Sequence, residues 1–88
     1  MQILKYRGVA LAACGKHQEA VYAFNHAHDL QPSDAEVLKL RAVTFGEMGQ
    51  IRLRMADLNA AVTLDSNNAD LYRTRGIALR MVMSSAAP

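Results

Sequence analysis

Eighty-eight residues, 51% of them apolar and 20% charged, make one small globular unit and exclude a disordered chain. A formal charge of +2 is too slight to argue for nucleic acid or a membrane surface, and the single cysteine, Cys14, excludes an internal disulfide. Two prolines, five glycines and an abundance of alanine, leucine, methionine and arginine favour helix along the whole chain.

Hydrophobic spacing and stop signals predict five helices. The first covers residues 2–14, with Leu4, Leu11 and Cys14 on one side and Gly8 and Ala10 as small neighbours. Lys5 and Arg7 followed by Val9 to Cys14 resemble a lipoprotein cleavage box. The apolar stretch after Arg7 is nevertheless shorter than the roughly 7–15 residues such a signal needs. Gly15 and Lys16 make a tight turn into a helix over 18–30, where Val21, Phe24, Ala27 and Leu30 recur every third residue. Pro32 ends that helix, and Ser33 with Glu36 reads as a capping box opening the next, over 35–48. Gly49 and Gln50 repeat the turn, and a helix over 52–64 carries Met55, Leu58, Ala61 and Leu64. Asn67 and Asn68 punctuate the chain before a helix over 69–82 with Asp70 in its first turn, and residues 84–88 read as a loose tail. No stretch reaches the roughly 20 apolar residues of a membrane span.

These elements repeat. Shifting the chain by 34 residues superposes Leu4, Lys5, Arg7, Val9, Gly15, Asn25, Ala27 and Leu30 on Leu38, Lys39, Arg41, Val43, Gly49, Asn59, Ala61 and Leu64. A third pass begins with Arg75, Gly76, Ile77, Ala78 and Leu79, echoing Arg7 to Leu11. The units are then 1–34, 35–68 and 69–83, the last being a first helix alone or a terminal cap, followed by the 84–88 tail.

The pattern resembles the tetratricopeptide repeat, a 34-residue helix–turn–helix with small residues where helices cross. In the first unit the matching residues are Gly8, Leu11, Gly15, Ala20, Phe24, Ala27 and Pro32. In the second they are Leu38, Ala42, Phe45, Gly49, Leu58 and Ala61, and in the third Tyr72, Gly76 and Leu79. Two positions depart from the pattern: Arg54 stands where a small residue is expected and Ser66 where proline is usual. An arginine at a small position is a local conflict, so Arg54→Ala is expected to raise the melting temperature. The resemblance implies an all-α fold of antiparallel helix-turn-helix repeats stacked as a short right-handed superhelix. It also implies a protein-interaction scaffold, part of a longer array, with other proteins or neighbouring repeats as partners. The open apolar surface of Met81, Val82 and Met83 agrees with the longer array.

Nothing in the sequence assembles catalytic, cofactor or metal chemistry. Cys14 and His17 are separated by a turn, so Cys14 is expected to pack as a small apolar residue and His17 to cap the turn. His26 and His28 are two apart on a helix and point to different faces, whereas a metal pair would stand four apart. No enzyme activity and no cofactor are expected.

Carried over by register, the groove of the resembled family falls on the first helix of each unit. Lys5, Tyr6 and Val9, then Lys39, Leu40 and Val43, then Arg73, Thr74 and Ile77 are the groove residues it implies, with acids at Glu36, Glu47 and Asp70 on the same faces. Lys5, Lys39 and Arg73 form a basic ladder beside an apolar column of Val9, Val43 and Ile77. Together they suit a peptide with spaced acids and apolar anchors. The slight net charge and the lack of stacking aromatics argue against nucleic acid as the ligand. Arg7, Arg41 and Arg75 form a second column, and Asp57 is the acid expected to pair with Arg41 or Arg75. Chaperone-binding members of the resembled family grip a peptide's terminal carboxylate at positions corresponding here to Lys5, Val9, Leu40, Asp70 and Thr74. Only Lys5 fits that clamp, so the register implies no carboxylate-clamp binding of chaperone tails.

Overall fold

The computed structural model describes residues 2–86. Its five α-helices are α1 (Gln2–Ala13), α2 (His17–Leu30), α3 (Ala35–Glu47), α4 (Ile51–Leu64) and α5 (Ala69–Ala86). Each helix packs against the next, most extensively α1 on α2 and α3 on α4, which makes two hairpins and a fifth helix laid beside them. The result is a slab of 42 × 30 × 16 Å.

The turns inside the two hairpins are built identically. Gly15 and Gly49 hold φ of 80° and 78°, a left-handed conformation that a side chain would strain. After each, the next backbone N–H reaches back across the helix end: Lys16 donates to the Leu11 carbonyl and Gln50 to the Phe45 carbonyl, both at 2.9 Å. This satisfies carbonyls that the helix ends would leave orphaned.

The helix that follows the first hairpin starts differently from the expected capping box. Asp34, not Ser33, is the N-cap of α3, its Oδ1 accepting from the Glu36 backbone N–H at 3.0 Å. Asn68, in the same register, receives the Asp70 and Leu71 N–H groups at 3.0 and 3.3 Å. Further along, α5 outruns the end expected at residue 82 and takes in part of the segment read as a tail; residues 87–88 lie outside the described residues.

The core divides among the interfaces. Ala20, Phe24, Ala27 and Val37 form one buried group with Leu4, Leu11, Ala12 and Leu40 packed on it. Leu38, Ala61, Val62 and Leu71 form a second, and Ala42, Leu58 and Ala78 a third. Small residues permit this closeness: a Cβ added at Gly8 would stand 2.4 Å from the Phe24 ring. The stripe on α2 and α4 turns away from the core at its last step, leaving Leu30 and Leu64 half-exposed. Cys14 does not pack as expected. Lying beyond the last turn of α1, it is exposed.

The two ends differ from the middle. Val37 and Leu71 are 1% exposed, whereas Ile3, in the same register, is 80% exposed because no helix precedes α1 to cover it among the described residues. Tyr72, Leu79, Met81 and Met83 are exposed on α5 at the opposite end.

Candidate functional site

The side chains that register places on the groove lie together on α1, α3 and α5. The apolar column stays open to solvent, with Val9, Val43 and Ile77 at 41%, 45% and 48% exposure, and Tyr6 is exposed beside them. A half-open valine or isoleucine repeated three times on one face is apolar area still available for burial by a ligand.

The basic ladder does not stand free as the sequence suggested. Lys5 is buried, its Nζ 2.9 Å from Asp34 Oδ2 and donating to Glu36 Oε1 at 3.0 Å. Lys39 pairs with Asp70 in the same way, one period on. The lysine of each first helix thus reaches an acid 31 residues later, at the start of the next first helix. Asp34 is both cap and ion partner, whereas Asn68 can only cap, so Lys39 has one acid where Lys5 has two. Arg73 is exposed and stands 3.6 Å from Asp70 on its own helix.

These pairings set the local electrostatics. The hydrogen bond that Lys5 donates to Asp34 holds its ammonium above the usual value despite burial, with Glu36 adding to the effect. Burial pushes the Asp34 carboxyl up, but the Lys5 hydrogen bond and charge outweigh it and hold it below the usual range. The Lys39 hydrogen bond and charge lower the Asp70 carboxyl.

The second arginine column acts as a staple in the middle of the molecule. Arg41 Nε and Nη2 donate to the two Asp57 oxygens at 2.7 Å each, and Nη1 donates to Asn25 Oδ1 at 2.9 Å. One guanidinium therefore joins α3 to both α2 and α4, and the expected partner of Asp57 is Arg41. Arg75 repeats the asparagine half of this arrangement, donating to Asn59 Oδ1 at 3.3 Å. The Asn25/Asn59 identity was visible in the sequence as a recurrence, and its purpose emerges only here.

Between α3, α4 and α5 the same face opens into a cleft of about 290 Å³ lined by Val43, Gly46, Glu47, Arg54, Leu58, Thr74, Ile77, Ala78 and Met81. Arg54 lies over Gly46, where a Cβ would come within 2.9 Å of its Cδ. Its Nε is buried with no acceptor among the described residues. The arginine at the expected small position is thus accommodated by a glycine on the facing helix, a compensation that neither residue reveals alone.

Candidates for chemistry do not assemble. His26 is exposed on α2, and His17 Nε2 stands 3.8 Å from Glu47 Oε2 at the other end of the hairpins. Among the described residues no three of His, Cys, Asp and Glu group as metal ligands, and no helix is long and apolar enough to cross a membrane.

No protein-family model matches the sequence, and no curated protein matches it as a relative. Solved structures do. The structure described as "First TPR of Spaghetti (RPAP3) bound to HSP90 peptide SRMEEVD" superposes with a TM-score of 0.82 at 26% identity, over 88% of this chain and 61% of that one. The chain therefore spans about three fifths of the length of that neighbour. This likeness overturns the exclusion of chaperone tails drawn from the five clamp positions. A tally of five side chains tests one manner of anchoring, while the face also offers an apolar column, a cleft and the exposed Arg73. The 34-residue register, the paired helices with their glycine turns, and the structural likeness converge: this chain has the fold of a tetratricopeptide-repeat array.

Proposed function

We propose that the face formed by α1, α3 and α5 binds an extended peptide segment of a partner protein. The observation that carries this reading is the solvent-open column of Val9, Val43 and Ile77 on a face whose lysines are already tied to the scaffold. With Lys5 and Lys39 engaged internally, apolar contact supplies the affinity, and charge acts mainly at the α5 end, where Arg73 and Arg80 are exposed. The solved neighbour is bound to SRMEEVD, a peptide whose last five residues are two apolar and three acidic ones, and this supports the same class of ligand here.

The test is fluorescence anisotropy with labelled SRMEEVD and with scrambled and acid-free versions of it. Saturable binding that Val43→Glu weakens at least tenfold, and that Arg52→Glu on α4 leaves unchanged, agrees with the proposal. Equal loss from both substitutions, or no saturable binding of any apolar-acidic peptide, contradicts it.

The exposed Ile3 at one end and the exposed Tyr72, Leu79 and Met83 at the other favour a second reading, in which the segment props neighbouring repeats and takes no free ligand. Light scattering after size-exclusion chromatography separates the two. A monomer with a cooperative helical melt agrees with a free-standing binding module, while self-association through the ends agrees with the architectural role.

A further inference from the structure

Arg7, Arg41 and Arg75 recur in one register, but among the described residues only Arg41 has an acid of its own. Arg41 donates two hydrogen bonds of 2.7 Å to Asp57 on α4, and the Phe45 ring lies under its guanidinium at 5.9 Å. Arg7 holds the same place on α1, yet the position that carries the acid in the second unit is Ala23 in the first. At that spot a cavity of about 360 Å³ opens between α1 and α2. Leu4, Arg7 and Leu11 reach it from one side of α1, and Glu19, Tyr22, Ala23 and His26 from one side of α2.

Four differences from the second unit act together here. Ala23 replaces Asp57 and Leu11 replaces Phe45, which takes an acid and a ring away from beside the arginine. Tyr22 and His26 replace Ala56 and Ala60, which adds a phenol and an imidazole at the rim. The place thus loses its own anion and gains volume, while its mouth gains hydrogen-bond donors. Ala23 is buried and Tyr22 exposed, so an apolar floor lies under a polar rim.

We propose that this cavity binds a carboxylate carried beside a flat apolar body, either a free aryl acid or an acidic residue next to an aromatic one. The carboxylate takes the position beside Arg7 that Asp57 takes beside Arg41, accepting a two-pronged, charge-assisted pair of hydrogen bonds. Leu4, Leu11 and the Tyr22 ring cover the body. The volume falls within the roughly 300–1,000 Å³ of small-molecule pockets. Glu19 is the opposing charge; it lines the same cavity without pairing with Arg7, and it weakens the site for an anion. Val9 stands two residues from both Arg7 and Leu11, roughly 200° around the helix, so the site is separate from the peptide groove and does not rest on it.

The test titrates phenylacetate, phenylacetamide and capped Asp-Phe separately into the chain, followed by methyl and nitrogen-15 NMR. Saturable shifts at Leu4, Leu11 and Ala23 are expected with phenylacetate, with Val43 and Ile77 unmoved, and the amide is expected to bind at least tenfold more weakly. Ala23→Asp supplies the acid internally; it is expected to raise the melting temperature and to abolish the shifts. Arg7→Ala is expected to weaken phenylacetate binding at least tenfold without lowering the melting temperature, and Glu19→Gln to tighten it about twofold. Should Ala23→Asp fail to fold, Arg7→Ala decides alone. Tighter binding of capped Asp-Phe than of phenylacetate assigns the site to an acidic segment of a partner protein, and the reverse assigns it to a free acid. No saturable shift with either acid, equal affinity for acid and amide, or binding untouched by Arg7→Ala overturns the proposal. SRMEEVD has no aromatic residue and is expected to leave Ala23 unmoved, so failure here leaves the groove reading intact.

Discussion

The two junctions between successive units share one register and one backbone plan, yet the first is filled by Phe24 and Leu40 while the second leaves a cleft beside Leu58 and Thr74. A repeat fixes where helices cross, and the individual side chains decide whether the crossing is solid or hollow. Scaffold and cleft are therefore written in different residues: the recurring glycines and alanines hold the stack, and the exceptions (Arg54, Gly46, Thr74) line the opening at the second junction.

Truncation should separate the junctions most sharply. Phe24→Ala removes a ring that is 1% exposed from a filled junction and is expected to cost about 3–5 kcal/mol. Leu58→Ala, beside a cleft that neighbouring chains can collapse into, should fall toward the lower end of the roughly 2–5 kcal/mol range. Urea unfolding with far-ultraviolet circular dichroism checks both, and equal losses would break the comparison.

The staple that binds the middle unit to its neighbours comes next. Asp57→Ala strips Arg41 of both 2.7 Å bonds and is expected to cost roughly 1.5–3 kcal/mol. Arg7, in the same column but with Ala23 in place of the aspartate, is exposed, and Arg7→Ala should change stability by less than about 0.5 kcal/mol. A loss for Arg7→Ala as large as that for Asp57→Ala would contradict the assignment of the staple.

Smaller still is the coupling between Gly46 and Arg54. Gly46→Ala places a methyl 2.9 Å from the flexible Arg54 side chain, and the contact offsets the helix-propensity gain of about 1 kcal/mol, so the net change is expected to be near zero. With Arg54→Ala added, which restores the Ala12–Ala20 combination of the first junction, the contact is gone and Gly46→Ala should stabilise by about 1 kcal/mol. The two substitutions are thus non-additive by about 1 kcal/mol in a double-mutant cycle. Additive effects would mean that the glycine does not exist to admit the arginine.

The pH dependence is the mildest effect. Asp34 and Asp70 are held below the usual carboxyl value of 3.8, so their stabilisation is present above that value and is lost as the pH falls through the lowered folded values. Lys5 is held above 10.5, so its contribution persists through neutral pH and is lost only in stronger alkali. The melting temperature should be flat from about pH 5 to 9 and decline in acid. In Asp34→Asn that decline should shrink; an unchanged acid limb would mean that the Lys5 pair does not link the first two units.

Much of the fold was legible because its determinants are local or periodic. Gly15 and Gly49 announce turns wherever they stand after a helix, and Phe24, Leu58, Ala27 and Ala61 mark the buried stripe by spacing alone. The cap at α3 was misplaced by one residue because Ser33 and Asp34 are both competent caps and only Asp34 also reaches Lys5. The site was less legible. The lysine ladder and the acids Glu36 and Asp70 recur with the same period, but their pairing spans 31 residues and is not forced by either sequence pattern. The cleft is harder still to read, since it consists of volume missing from three helices at Gly46, Leu58, Thr74 and Ala78.

The most direct test of the account is a nitrogen-15 and methyl NMR titration of the chain with the peptide SRMEEVD, mapped residue by residue. Shifts that concentrate on Val9, Val43, Thr74 and Ile77 along α1, α3 and α5, and are greatest around the second junction, are the expected result. Shifts that gather on Tyr22, Arg52 and the outer faces of α2 and α4, or the absence of any saturable change, would contradict it.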